Sequence, residues 1–258
     1  MYDLNTISRN LNTNIIGRSI IQYDCLNSTL AKAKNIFASC PDGTVILSEN
    51  QTEPSRSASQ WPYVSDKNIY LSIILKSVTS DQVLPLMGVA GCSSVLKSAE
   101  NLYGLDCRIK WPNDVIINGK SFSYTKSDIG AKGSGIIITL NINVNMEEEI
   151  KNSKITSIKA ETGQEAEREK LIGTILSEIE NHYDEIKNTG RASQALDIYN
   201  EYLLYRDKEI GVIKKGRKTL RKVLVKNINT NGWLTVINEK GQEEILSPGD
   251  ISIQYEEA

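Results

Sequence analysis

The chain has 258 residues, 30 basic and 32 acidic side chains and a formal net charge of −2, long enough for one large domain or for one domain with a small appendage. A balance this even does not steer the molecule onto nucleic acid or an anionic membrane, so either partner would require a local patch. The longest apolar stretches, such as Ile136-Ile137-Ile138, are far too short to span a bilayer, and the N-terminus lacks signal-peptide features, so the expected location is the cytoplasm.

Ile20-Ile21-Gln22-Tyr23 reads as a strand, and Asn27-Ser28-Thr29 then supplies capping side chains ahead of a helical run, Leu30-Ala31-Lys32-Ala33-Lys34. Gly43 to Ser48 is a second strand and Asn68 to Leu75 a third with strong β character, separated by a polar loop from Glu49 to Lys67. From Val83 to Tyr103 helix formers alternate with Gly88, Ala90, Gly91 and Ser93, which suits a helix pressed against a sheet. Val115-Ile116-Ile117, Asn118-Gly119 and Lys120 predict a hairpin with a tight turn, and Ile136 to Val144 a further strand.

Between about Glu165 and Asn188 apolar residues recur at helical spacing, with Leu171, Ile175, Ile179 and Tyr183 on one stripe, and Ile198 to Leu204 continues as helix. After Arg206 the pattern changes to short β-rich runs at Ile210–Ile213, Arg221–Val225, Trp233–Ile237 and Glu244–Leu246. Lys215-Gly216, Asn231-Gly232, Lys240-Gly241 and Pro248-Gly249 mark the turns. This predicts two units, residues 1–205 and a small β-barrel over 206–258. The basic run Lys214-Lys215-Gly216-Arg217-Lys218 reads as a solvated barrel loop, with contact to an acidic carrier or to nucleic acid as the rival reading.

Cys25, Cys40, Cys92 and Cys107 show no CxxC spacing, and the only histidine, His182, falls in a polar helical stretch. Small buried thiols and a surface histidine are expected rather than metal ligation or Cys–His catalysis. The chemistry concentrates instead in Lys110-Trp111-Pro112-Asn113-Asp114-Val115, where a cation, an indole, an amide and a carboxylate surround one rigid proline at a strand end. By itself this segment also fits a surface turn with a half-buried tryptophan, Ser28-Thr29 a helix cap, and Lys120 a solvated turn lysine.

Taken together with the order of elements, Lys110 to Val115 resembles the biotin protein ligases, and the likeness covers nearly the whole chain. Ser28-Thr29 is similar to the Ser-Thr-Asn helix start of that family, with Leu30 in place of the asparagine. Gly43 to Gln51 resembles the strand before its nucleotide loop, and Trp61 with Asn68 to Leu75 the strand after it. The resemblance implies an α/β (α+β) fold, a mixed β-sheet flanked by helices as in the class II synthetase-like biotin/lipoate ligase core, plus a C-terminal SH3-like β-barrel. It implies the form without an N-terminal DNA-binding domain, and hence no DNA partner.

The implied reaction is ATP-dependent formation of biotinyl-AMP, then transfer of biotin to a lysine of a biotin carboxyl carrier domain. By resemblance, Ser28, Thr29 and Gln51 take the ureido ring of biotin, and Lys120 joins carboxylate to α-phosphate as the first catalytic candidate, with Asp114 and Arg56 beside it. Asp114 with Asn113 would hold Mg²⁺; Arg56, Trp61, Lys110, Trp111 and Asn143 complete the implied nucleotide site. Sheet-edge pairing in such enzymes makes a homodimer a further implication.

The chain departs from the family pattern where ligand should sit. The Gly-Arg-Gly-Arg loop reads Thr52-Glu53-Pro54-Ser55-Arg56-Ser57-Ala58-Ser59-Gln60, with one arginine and no glycine. Gly-Ile-Leu after the lysine reads Ser123-Tyr124-Thr125, and Gly-x-Gly-x-Asn reads Thr139-Leu140-Asn141-Ile142-Asn143. These changes leave two alternatives open: a catalytically impaired paralogue acting as a binding or regulatory protein, and a ligase for another small carboxylic acid such as lipoate.

Overall fold

The computed structural model of the chain describes residues 1–53, 66–78, 83–147 and 154–255. The elements in order are α1 (Leu4–Arg9), β1 (Ile20–Leu26), α2 (Thr29–Ile36), β2 (Val45–Gln51), β3 (Ile69–Leu75), α3 (Leu84–Tyr103), β4 (Cys107–Lys110), β5 (Asp114–Ile117), β6 (Lys120–Ile129) and β7 (Ile136–Ile142). Then follow α4 (Ile158–Thr162), α5 (Arg168–Thr189), α6 (Ser193–Glu201), β8 (Glu209–Lys214), β9 (Leu220–Ile228), β10 (Leu234–Ile237), β11 (Glu243–Leu246) and β12 (Ile251–Gln254).

Strands β1 to β7 make one mixed sheet in the order β1-β2-β3-β7-β6-β5-β4, with β1 and β2 parallel and the other neighbours antiparallel. Because side chains alternate along a strand, the sheet sorts its residues by parity. Val45, Leu47, Leu71, Ile73, Ile136, Ile138 and Leu140 join the large core with α3 and α5. Ile46, Ile74 and Ile137 form a smaller cluster with Ala33 and Phe37 of α2 on the other face. The same parity places Ser72, Thr139 and Asn141 on the α2 face. On α3, a Cβ at Gly91 would stand 2.6 Å from Thr125 Cγ2, so that glycine lets the helix lie against the sheet as its small residues predicted.

A second, antiparallel sheet of five strands, β11-β10-β9-β8-β12, spans Glu209 to Gln254 and is barrel-like. Val212, Val223, Val225, Leu234 and Val236 fill its interior. It rests on α3, where a Cβ at Gly232 would meet Pro85 and Val89 at 3.3 and 3.4 Å.

Three expectations change. Strand β2 runs on through Glu49 to Gln51, so the polar loop begins later. Glu49 is buried and paired with Arg168 at 2.7 Å, a partner 119 residues away that local polarity does not reveal. His182 is buried, not a surface residue, because it lies on the side of α5 that packs inward with Ile179 and Ile186. Of the cysteines, Cys40, Cys92 and Cys107 are buried thiols while Cys25 is exposed on the edge strand β1. Among the described residues no helix is long and apolar enough to cross a membrane.

Candidate functional site

Helix α2 starts where β1 ends, and Ser28 caps it by accepting from the Ala31 backbone N–H at 3.4 Å. Thr29, its first residue, has a backbone N–H with no partner inside the helix. Gln51, at the end of β2, supplies one: its Oε1 accepts from Thr29 N at 2.7 Å and from Thr29 Oγ1 at 3.3 Å. Gln51 Nε2 in turn donates to Asn141 Oδ1 at 3.0 Å. Ser72 Oγ donates to Thr29 Oγ1 at 3.0 Å and lies 2.8 Å from Thr139 Oγ1. Four elements, α2, β2, β3 and β7, thus share one buried polar circuit on the α2 face.

Above this circuit is a cavity of about 20 Å³ walled by Ser28, Leu30, Gln51, Glu53, Tyr124, Lys126, Thr139 and Asn141. Of the Ser123-Tyr124-Thr125 segment, only Tyr124 faces it. Thr125 points at Gly91 of α3, and the Ser123 hydroxyl is buried without a hydrogen-bond partner among the described residues. Tyr124 belongs to a segment whose sequence already departs from the family pattern at the ligand; Lys126 is an additional wall, and period-two alternation through β6 carries that signal.

The Lys110–Asp114 segment is held by three separate elements. Trp111 is buried and its indole N–H donates to Gly232 O, in the β9–β10 turn of the second sheet, at 3.3 Å. Tyr199 of α6 donates its hydroxyl to Pro112 O at 2.9 Å, and Thr125 N donates to Asn113 O at 2.9 Å. The Trp111–Pro112 peptide bond is cis. Asp114 lies opposite Lys110 on one side and Tyr124 on the other, and accepts from Ser121 Oγ at 3.0 Å. Burial holds the Asp114 carboxyl above the usual carboxylate range, while the Ser121 hydrogen bond and the Lys110 charge pull it down.

The hairpin turn Asn118-Gly119 forms with both residues at positive φ, 49° and 73°. Lys120 follows it, half-buried and opposite Ile117. Asp114 pairs three residues away, about 10 Å along the strand. By register, the end of β2, the start of β3, the β5–β6 turn and the end of β7 lie at one end of the sheet. Lys120 and Gln51 therefore share a sheet end, although Lys120, Lys110 and Asp114 are not among the cavity walls.

Asn143, also at that end, is fully buried: its Oδ1 accepts from Asn68 Nδ2 at 3.2 Å and its Nδ2 donates to Thr156 O at 3.1 Å. Lys110 is exposed and borders an open cleft of about 440 Å³ between the two sheets, with Ile116, Gly119, Lys154, Leu204, Tyr205 and Tyr255. Lys154, Tyr205 and Tyr255 had no local signal, since only the meeting of distant segments puts them there. Arg56 and Trp61 lie outside the described residues, as does most of the altered loop.

A sequence model described as the biotin/lipoate A/B protein ligase family matches residues 24–145, the segment that runs from the end of β1 through β7 and carries the polar circuit. Residues 24–145 are a domain of that family. The bifunctional ligase/repressor BirA of Bacillus subtilis is 28% identical over 190 residues, which are 70% of this chain and 58% of that protein. The chain thus spans little more than half the length of that curated relative. Biotin–protein ligase 2 of Arabidopsis thaliana is 20% identical over 264 residues, 98% of this chain and 80% of that protein. Among solved structures, the biotin protein ligase of Aquifex aeolicus, in complex with biotin and ATP, superposes with a TM-score of 0.79 at 21% identity. It covers 93% of this chain and 100% of that one. A biotin protein ligase-like protein of unknown function from Silicibacter aligns with a TM-score of 0.64 at 8% identity, covering 91% of this chain and 96% of that one.

Proposed function

We propose that the chain is an ATP-dependent biotin protein ligase, with residues 1–205 as its catalytic domain and 206–258 as a barrel domain. The observation that carries this reading is Gln51, held by Thr29 and standing in the wall of a cavity inside the family domain, a polar recognition group at the end of a core strand. A biotin carboxylate oxygen attacks the α-phosphorus of ATP and pyrophosphate leaves. A lysine amine of a biotin carboxyl carrier domain then attacks the acyl carbon, AMP leaves with the acyl–phosphate bonding pair, and the amine proton passes to solvent.

Each residue has a part in this chemistry. Ser28, Thr29 and Gln51 orient the ureido ring, and Lys120, at the same sheet end as Gln51, neutralises charge between carboxylate and α-phosphate. Lys110 faces the phosphates from the cleft between the sheets, with Arg56 and Trp61 as further nucleotide contacts implied by the family pattern. Asn113 and Asp114 would be the oxygen donors for Mg²⁺, an ion that binds through one or two carboxylates and takes its other ligands from phosphate and water. Bound there, Mg²⁺ would supply charge neutralisation at the phosphates. Trp111 and Asn143 serve as supports: both are buried and hydrogen-bonded within the protein, and they fix the segments on which Asp114 and the end of β7 lie.

The size of the cavity, about 20 Å³, favours a second reading in which the fold persists as a non-catalytic binding protein. Pyrophosphate release from Mg-ATP separates the two. The ligase reading predicts release that depends on biotin and is not reproduced by lipoate; release with neither acid supports the non-catalytic reading.

A further inference from the structure

The cavity over the polar circuit is closed by the protein's own side chains. A volume of about 20 Å³ accommodates roughly one water, whereas pockets for small organic ligands run to about 300–1,000 Å³. Asn141 is the wall that is bonded directly to Gln51. It is 4% exposed, lies two residues from Thr139 and so on the same face of β7, and its carboxamide reaches across to Gln51.

Gln51 brings one carbonyl oxygen and two amide hydrogens to the site. Its oxygen already accepts from Thr29 N and Thr29 Oγ1, and one hydrogen goes to Asn141 Oδ1. An arriving acid therefore meets a recognition group whose partner is already an amide. A ring-bearing acid exceeds this volume and has to displace wall side chains, and for Asn141 to turn out of the cavity its bond to Gln51 has to open.

We propose that the Asn141 carboxamide is a built-in occupant of the acid pocket and sets which acids the chain accepts. The inference rests on the ligase reading above and concerns the selectivity of that same site. An acid whose head carries an amide-like carbonyl replaces Asn141 as the acceptor for Gln51. An acid with an apolar head displaces Asn141 and leaves a buried amide hydrogen unpaired, a loss that buried polar groups do not tolerate. The pocket thus selects for urea- or amide-headed acids over apolar-headed ones and binds even the favoured class weakly, because Asn141 competes for the same donor.

The test is calorimetric titration of the full chain with biotin and, separately, with lipoate, for the wild type and for Asn141→Gly, Asn141→Ala and Asn141→Leu. The glycine and alanine variants are expected to bind biotin roughly tenfold or more tightly than the wild type, although glycine in a strand lowers the melting temperature. A gain in affinity alongside a loss of stability is not the signature of a merely structural residue. Asn141→Leu, of similar volume but without the amide, is expected to gain nothing for biotin. Wild-type binding as tight as that of the glycine and alanine variants, with biotin-dependent pyrophosphate release intact, overturns the inference and leaves the ligase reading standing. Folded wild type and variants that neither bind biotin nor release pyrophosphate with it remove the ligase reading, and this inference falls with it.

Discussion

Thr29 donates its backbone N–H to Gln51 Oε1 at 2.7 Å, and this one bond joins the first turn of α2 to the last residue of β2. A helix N-terminus leaves such donors without internal partners, and here the partner is a side chain from the neighbouring strand. Gln51→Leu keeps the volume but strips Thr29 N of its acceptor in a buried place. A loss of about 1–3 kcal/mol in urea unfolding is expected, the usual penalty for an orphaned buried polar group, together with loss of biotin binding. Unchanged stability would show that the bond does not fasten the helix start.

Trp111 and Gly232 make a second link, this time between the two sheets. Trp111→Phe removes the indole N–H that Gly232 O accepts and leaves that carbonyl short of a partner. The expected result is destabilisation of about 1–3 kcal/mol with little change in the KM for ATP. A large rise in KM at unchanged stability would instead assign Trp111 to the nucleotide.

Much of this architecture is legible from local pattern. The hairpin at Asn118-Gly119, the small-residue face of α3 and the alternation in β7 each follow from chemistry within a few residues. The order of segments around Lys110 to Val115 was enough to indicate the family. What local pattern does not carry is long-range closure. Strand β4 was overlooked because its four residues, Cys107 to Lys110, are a strand only by pairing with β5 and bridging to Leu203. The partner of Glu49, the burial of His182 and the meeting of Asn141 with Gln51 likewise depend on which segments the topology brings together.

The Arg168–Glu49 pair shows the energetic weight of such closure. Arg168 Nη1 reaches Glu49 Oε2 at 2.7 Å and Asn68 O at 3.1 Å, and its guanidinium stacks 4.4 Å from the centre of the Tyr2 ring. Glu49 is 3% exposed, so removing Arg168 leaves a buried carboxylate with only the Met1 amino group, 3.1 Å from its Oε1, as a cationic partner. Arg168→Ala is expected to lose about 3–5 kcal/mol in chemical denaturation, and Arg168→Ala with Glu49→Gln distinctly less. Equal losses would mean the charge is compensated elsewhere.

His182 predicts a pH dependence. Its ring nitrogens are buried with no hydrogen-bond partner among the described residues, and burial lowers its pKa, opposed by the Glu185 charge. In the unfolded chain the imidazole takes a proton near pH 6.5, while the folded state resists it, so the unfolded state binds more protons below that pH. Stability is therefore complete above about pH 6.5 and is lost as the pH falls from there toward the depressed folded pKa. Denaturation measured at neutral pH and near pH 5.5 should show a smaller acid loss for His182→Leu than for the wild type. An identical loss would remove His182 from the acid sensitivity.

Biotin transfer is read directly from the intact mass of a biotin carboxyl carrier domain after incubation with this protein, ATP, Mg²⁺ and biotin. The ligase reading predicts a gain of one biotinyl group on the acceptor lysine, present with the wild type and absent with Lys120→Ala. An acceptor mass that stays unchanged even at high concentrations of folded wild-type protein would contradict it.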